Sequence, residues 1–453
     1  MHRSSGRAYF CAVSGPSSAW IGIRWYQGQV NTEAAIEPEI RTAAGVVRGR
    51  REGLLTVFRG IPYAEPPVGS HRFQAPVPVR QWEGTRDASK FGPPVPQTSH
   101  TGSVMTAEFG STADGSADCL TLNVWSPDLS DARLPVMVWI HGGAYLEGTS
   151  GNPDADGATL AQEGVVMVSM NYRTGVEGFA HITGAVDNRG ILDQAAALRW
   201  VQDNIAGFGG DPSNVTVCGQ SAGAGCIAAL LAMPTSAGLF RRAIAQSVPG
   251  TYFSSRLAGA ITTTIAAELG TRATVDEADK QLTVTLDLLA PAPDGGRDYR
   301  AAYPDATAAQ LDEIVNADWL FRMPSLHLAN AQHAGNGRAW TYELGWGYNQ
   351  EQDASHSLDF LLVFGTLDID DVRNHSAVYP NAAGEAPGVS RDMRTDWVNF
   401  ATTGDPGWST YDPHARITRV YNAEPTTQPY PEENSRRIWS AHQFDTLDIQ
   451  GTP

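Results

Sequence analysis

Apolar residues run almost unbroken through Leu134 to Ile140, Val165 to Met170 and Val215 to Cys218. Each run is strand-sized and lacks polar alternation, which is the pattern of a strand buried on both faces. Between and after these runs, Leu192 to Ile205 and Ala222 to Ala232 place apolar residues at helical spacing. Buried strands alternating with helices predict an α/β fold, its central sheet mostly parallel and covered by helices on both faces. Ala339 to Leu344 alternates like one further strand. Upstream, Gly45 to Gly49 and Leu54 to Phe58 read as a hairpin of short strands, and the Pro-rich stretch from Ile61 to Pro78 as a surface loop. Residues 1–35 do not share the pattern. Arg3, Arg7 and Arg24 precede the first acid, Glu33, and the apolar stretch Ala8 to Val13 is broken at once by Ser14-Gly15-Pro16. That break argues against a signal peptide and for a loosely held tail, or a start codon set too far upstream. Length alone would suggest about three domains. The pattern instead divides the chain into an N-terminal extension, residues 1–35, and a single domain, residues 36–453.

Composition narrows the function. A chain that is 42% hydrophobic and 18% charged is that of a globular protein with a large core. With 49 acidic against 32 basic residues the net charge is −17. Such a surface repels phosphate backbones and anionic lipid, so nucleic acid and membrane surfaces are not expected partners. No apolar run reaches the length of a membrane span. The four cysteines, Cys11, Cys119, Cys218 and Cys226, are too few for a disulfide framework and have no metal-ligand spacing. Buried free thiols are expected, which suits a reducing, cytoplasmic compartment.

Two glycine-rich turns carry the chemistry. Gly219-Gln220-Ser221-Ala222-Gly223 follows the strand Val215 to Cys218 and opens the helix that begins at Ala222. This is the setting of a nucleophile elbow, where glycines two before and two after the serine let a tight backbone pass its neighbours. A plain glycine turn between strand and helix is the competing reading, weakened by that placement. The second turn, His141-Gly142-Gly143-Ala144-Tyr145, follows the strand Leu134 to Ile140. Its glycines allow peptide N–H groups to converge on an oxyanion. Gly143, Ala144 and Ala222 are the candidate donors.

With these turns in place the chain resembles the type-B carboxylesterases, which include bacterial para-nitrobenzyl esterases and, more distantly, cholinesterases. The matching text includes Phe58-Arg59-Gly60-Ile61-Pro62-Tyr63-Ala64, Asp118-Cys119-Leu120, Asn123-Val124, Asn171-Tyr172-Arg173, Leu192-Asp193-Gln194 and Phe208-Gly209-Gly210-Asp211-Pro212. The resemblance covers roughly residues 38 to 425. It implies an α/β-hydrolase fold and a Ser–His–Glu mechanism without cofactor or metal. Two departures stand out: Gln220 replaces the usual Glu inside the elbow, and Val95 stands where the family's early disulfide has its first Cys, leaving Cys119 unpaired.

Six histidines follow Ser221: His327, His333, His356, His375, His414 and His442. In this fold the base lies in a loop after the last core strand. His356, in Ala354-Ser355-His356-Ser357-Leu358-Asp359, has that place and matches the family's motif, whereas His327 and His333 sit in a helical pattern. The acid is harder to find. The resemblance implies a Glu on a Gly-Thr turn between nucleophile and base, and the chain is short there, between Leu269 and Tyr303. Glu277, after Gly270-Thr271, is the best imitation of that turn but two residues too long; the rival reading puts Thr274 to Leu289 in a helix with Glu277 on its solvated face. Asp279, Asp294 and Asp298 stay open.

The expectation is a serine hydrolase that cleaves small carboxylic esters through an acyl-enzyme, with Ser221 as nucleophile, His356 as base and Glu277 as the candidate acid. The alternative is a non-catalytic hydrolase-fold binding protein, of the adhesion type, or an impaired enzyme lacking its acid. Tyr145, Phe179, Trp346 and Tyr348 are candidates to line an acyl or alcohol pocket. Nothing in the sequence encodes an oligomeric state.

Overall fold

The computed structural model describes residues 8–14, 37–97, 118–182, 184–258, 261, 289–291, 294–306, 308–348, 354–374, 378–442 and 444. Its strands are β1 (Ala8–Ser14), β2 (Glu39–Arg41), β3 (Val46–Arg48), β4 (Arg50–Glu52), β5 (Leu55–Pro62), β6 (Thr85–Asp87), β7 (Thr121–Ser126), β8 (Leu134–Ile140), β9 (Val166–Met170), β10 (Gly210–Gln220), β11 (Arg242–Gln246), β12 (Arg338–Leu344), β13 (Ile417–Tyr421) and β14 (Thr426–Pro429). Eleven of them form one sheet in the order β14-β13-β12-β1-β11-β10-β8-β9-β7-β5-β4. From β13 to β9 every pairing is parallel, and the pairings beyond, at both edges, are antiparallel. The fold is that of an α/β-hydrolase.

The unbroken apolar run of β8 follows from burial on both faces. Val136, Val138 and Ile140 pack in the cluster that holds Leu198 and Val201 of the helix Arg189–Asn204 and Ile227 and Leu230 of the helix Ala222–Ala232. Met137 and Trp139 point the other way, to Leu362 and Phe364 of the helix Leu358–Phe364 and Trp397 and Phe400 of the helix Ala382–Thr403. With a side-chain period of two, neither face leaves room for a polar position.

The expected hairpin is displaced. Leu55–Pro62 does form a strand, but its antiparallel partner is Arg50–Glu52, joined through a turn at Gly53 with φ +60°. Val46–Arg48 belongs to a separate three-stranded sheet with β2 and β6. The chain crosses between the two sheets at Gly49, where a Cβ would stand 2.5 Å from the Val57 carbonyl oxygen. Periodicity alone does not mark such a crossing.

Residues Ala8–Ser14 of the N-terminal extension lie inside the main sheet, pairing in parallel with β11 on one side and β12 on the other. Most of the stretch between Leu269 and Tyr303, including Glu277 and Asp279, lies outside the described residues. No helix among the described residues is long and apolar enough to cross a membrane.

Several of the matching motifs form a buried polar frame under the loops. Arg173 Nη2 pairs with Asp193 Oδ1 at 2.7 Å, Arg173 Nε and its own N–H both donate to Oδ2, and the two side chains are 1% and 0% exposed. Arg173 Nη1 also donates to the Gln74 carbonyl, tying the Pro-rich loop to the core. A buried pair satisfied this fully is costly to break, because the surviving charge stays in the interior. Asp193→Ala is expected to lower stability by about 3–5 kcal/mol, measured by urea unfolding, and Arg173→Met combined with Asp193→Leu to lose less than Asp193→Ala alone.

Candidate active site

Adjacent parallel strands β8 and β10 end side by side, Ile140 opposite Gly219, and the two glycine-rich turns leave from those ends. Their backbones nearly touch. A Cβ on Gly223 would stand 2.1 Å from the Ile140 carbonyl oxygen and 2.8 Å from that of His141, and a Cβ on Gly219 would stand 2.7 Å from Ile140 O. No other residue type fits at either place. Ser221, between them, is held at φ 55° and ψ −123°, a region that costs an L-residue about 1–3 kcal/mol. Its N–H donates to the Gln246 carbonyl at 2.9 Å, and its carbonyl accepts from Gly225 N–H at 3.0 Å in the helix Ala222–Ala232. Ser221 therefore stands at the positive end of that helix, only partly buried.

The other turn folds over it. A Cβ on Gly142 would lie 3.3 Å from Ser221 Cβ and 2.9 Å from the Gln220 carbonyl oxygen. Gly143, Ala144 and Tyr145 all have positive φ, at 112°, 52° and 64°. A Cβ on Gly143 would meet the Glu147 carbonyl oxygen at 2.1 Å. The bend is pinned from below: Leu146 N–H and Glu147 N–H both donate to Gly143 O, and Gly175 N–H donates to Tyr145 O. His141 anchors its start, its Nδ1–H donating to Gly142 O at 2.8 Å while the ring stacks on Tyr172, whose hydroxyl donates to His141 O. Burial pushes the His141 imidazole down to about 4, so it is neutral. Among the described residues no hydrogen bond uses the N–H of Gly143, Ala144 or Ala222.

His356 is brought to the same end of the sheet. Its imidazole Nε2 lies 3.0 Å from Gln220 Nε2, the residue before Ser221, and its ring stacks on Phe321 at 4.5 Å between centroids and 14° between planes. Burial pushes it down to about 4, so this ring too is neutral. Among the described residues no hydrogen bond joins it to Ser221 Oγ, and no carboxylate reaches it. Asp294 and Asp298 do not approach: both are exposed, at and near the start of the helix Gly295–Ala302, and pair with Arg297. Glu277 and Asp279 lie outside the described residues.

The aromatic candidates separate. Tyr145 and Phe179 meet edge to face at 5.1 Å, and the Tyr145 hydroxyl lies over Gly225, one turn after Ser221. Trp346 and Tyr348 are core residues, 4% and 3% exposed, with Trp346 Nε1 donating to Glu385. They are buried because the strand end that carries them turns under the helix Ala382–Thr403. His327 and His333 lie in the helix Met323–Ala334, as expected. Cys119, Cys218 and Cys226 are free and buried, and burial raises all three thiols.

Two residues beside the site were not singled out from the sequence. Phe321 sits in a π-helical turn, Asp318–Arg322, of the kind often found at functional sites. That turn is fixed by a buried Asp318–Arg322 ion pair and by the Tyr299 hydroxyl donating to Asp318 Oδ2 at 2.8 Å. Asp359 is the other; burial pushes its carboxyl up to about 6, and it faces Gln246, whose carbonyl takes the Ser221 N–H. Its spacing, three residues after His356 at a helix start, was the one available signal.

A serine on a strained strand-to-helix turn, under a loop of unpaired N–H groups, defines a serine hydrolase of the α/β-hydrolase class. The carboxylesterase family model matches residues 36–289. The para-nitrobenzyl esterase of Bacillus subtilis (strain 168) is 32% identical, over 88% of this chain and 97% of its own. The phenmedipham hydrolase of Pseudarthrobacter oxydans is 46% identical over 47% of this chain, which spans 43% of that protein. Among solved structures, a carboxylesterase of Geobacillus stearothermophilus superposes with a TM-score of 0.76 at 29% identity, covering 88% of this chain and 99% of that one. A thermophilic para-nitrobenzyl esterase gives 0.74 at 31% identity, covering 89% and 100%. The chain belongs to the carboxylesterase family and is a carboxylic-ester hydrolase; relatives named as esterases and hydrolases do not favour the non-catalytic alternative.

The strain at Ser221 is testable apart from catalysis. Ser221→Gly is expected to abolish turnover and raise stability by about 1 kcal/mol, because glycine adopts positive φ without the steric cost. Thermal unfolding with a parallel esterase assay checks both halves.

Proposed function

We propose that Ser221 is the nucleophile, that His356 is the general base and then the general acid, and that the Gly143, Ala144 and Ala222 N–H groups hold the oxyanion. Ser221 Oγ attacks the ester carbonyl carbon as its proton passes to the imidazole. The C–O bond to the alcohol breaks as the imidazolium protonates the leaving oxygen, and water repeats the sequence on the acyl-enzyme. The observation that carries this reading is the elbow itself, with Ser221 at φ 55° and the Gly142 backbone folded against it. For the residue that orients the imidazole, Glu277 is the carboxylate offered by the sequence.

Neutral esters with an apolar acyl or alcohol part fit the surroundings. Leu146 beside the turn at 143–145, Val176 in the helix Gly175–Phe179, and Tyr252 and Phe253 are exposed, and the Tyr252 hydroxyl donates to Gly225 O, one turn after Ser221. An isolated exposed apolar residue needs no explanation, but several near one site favour an apolar over a charged ester. The net charge of −17 acts in the same direction against anionic esters. Three reduced thiols support cytoplasmic action.

Ser221→Ala is expected to remove turnover of p-nitrophenyl acetate and labelling by a fluorophosphonate probe, both of which the wild type shows. Turnover at the wild-type rate after that change overturns the assignment. Glu277→Gln is expected to lower kcat by up to about 10⁴-fold, the scale of losing a triad acid; an unchanged kcat removes Glu277 from the orienting role.

A further inference from the structure

His356 rests between two neighbours that the chemistry above does not use. On one side is the Gln220 side-chain amide, 3.0 Å from Nε2 and 3.5 Å from Nδ1. On the other is the Phe321 ring. Neither is free to wander. Gln220 is 4% exposed at the end of β10, with its amide oxygen against Gly142, and Phe321 is carried by the ion-paired π-turn. Among the described residues the charged groups on the surrounding elements are engaged elsewhere. Asp318 and Arg322 pair with each other, Glu343 of β12 is directed to Arg322, Asp359 faces Gln246, and His141 donates to Gly142 O. An N–H donated into an imidazole nitrogen is compatible only with that nitrogen being unprotonated.

Resting on the assignment of His356 as the base, we propose that Gln220 is a positioning residue for it: the side-chain amide, with the Phe321 ring opposite, holds the imidazole neutral and beside the elbow in the resting enzyme. The nitrogen it occupies is the one the Ser221 proton must reach, so the amide gives way to Oγ as substrate enters. A carboxylate in its place would act in the opposite sense, raising the ring's affinity for a proton so that at low pH more of it is imidazolium, which cannot accept the Ser221 proton. Burial lowers the imidazole to about 4, so a neutral partner leaves the base functional well below the pH at which an ordinary histidine is half protonated.

The experiment is a pair of variants read by pH profile. Gln220→Glu is expected to move the acid limb of kcat/KM for p-nitrophenyl acetate up by at least about one pH unit, a tenfold relative loss at pH 5 against pH 8. Gln220→Met, which removes the N–H donor without adding a charge, is expected to move the limb in the same direction but by less than Gln220→Glu. A purely structural role would lower both variants at every pH without moving the limb. Nitrogen-15 histidine titration of the wild type and Gln220→Glu supplies a second reading that needs no turnover: the His356 imidazole should stay neutral to about pH 5 in the wild type and titrate higher in the variant. Superimposed limbs together with an unmoved His356 titration overturn the proposal. A moved titration with an unmoved limb leaves Gln220 as the partner of His356 and overturns the assignment of His356 as the base.

Discussion

Two backbones in near contact govern this site. The ends of β8 and β10 approach so closely that only glycine fits at 219 and 223, where the Ile140 carbonyl fills the space of a side chain. That approach forces the chain through a turn tight enough to hold Ser221 at positive φ, and it brings the donor loop over the serine in the same stroke. The proposed nucleophile and the proposed oxyanion donors are therefore one construction. A displacement of either strand end would spoil the serine's exposure and the aim of the N–H groups together, and preorganisation of this kind is what gives such donors their catalytic value.

The contact survives because polar residues beneath the loops fix their other ends. Asn171 accepts from Ser150 N–H and donates to the Pro93 carbonyl, and Asn123 accepts from Gly60 N–H and donates to Ser169 Oγ. With Arg173 and Asp193 they join segments distant in the chain through satisfied, buried hydrogen bonds. A purely apolar floor would pack as well but would specify the loop paths less sharply. The strain stored at 143–145 and 221 is paid for there.

Much of this was legible in the sequence, for identifiable reasons. The doubly buried strands β8 and β9 announced themselves because both their faces are covered, and the elbow because strand, glycines and helix are contiguous. His356 was legible from its position after a final alternating strand. Other features depend on contacts that no local pattern encodes. Gly49 looks like part of a strand until the second sheet is seen, and Trp346 and Tyr348 look like pocket aromatics until a 22-residue helix closes over them. Phe321 meets His356 only because a helix widens by one π-turn. Asp294 and Asp298 had the right chemistry and order in the chain, and only the sheet's geometry places them on an exposed helix.

The position of β1 bears on how the molecule assembles. Ala8–Ser14 stands between β11 and β12, in register with Arg242 on one side and Arg338 on the other. Its neighbours in space are therefore separated from it by more than half the chain. Contacts of such sequence separation are slow to form, because a long loop must close before any pairing repays it. During synthesis this strand would emerge early and wait, with unpaired edges, until β12 had been made. The half of the sheet that carries Ser221 and the half that leads to His356 would thus be joined last.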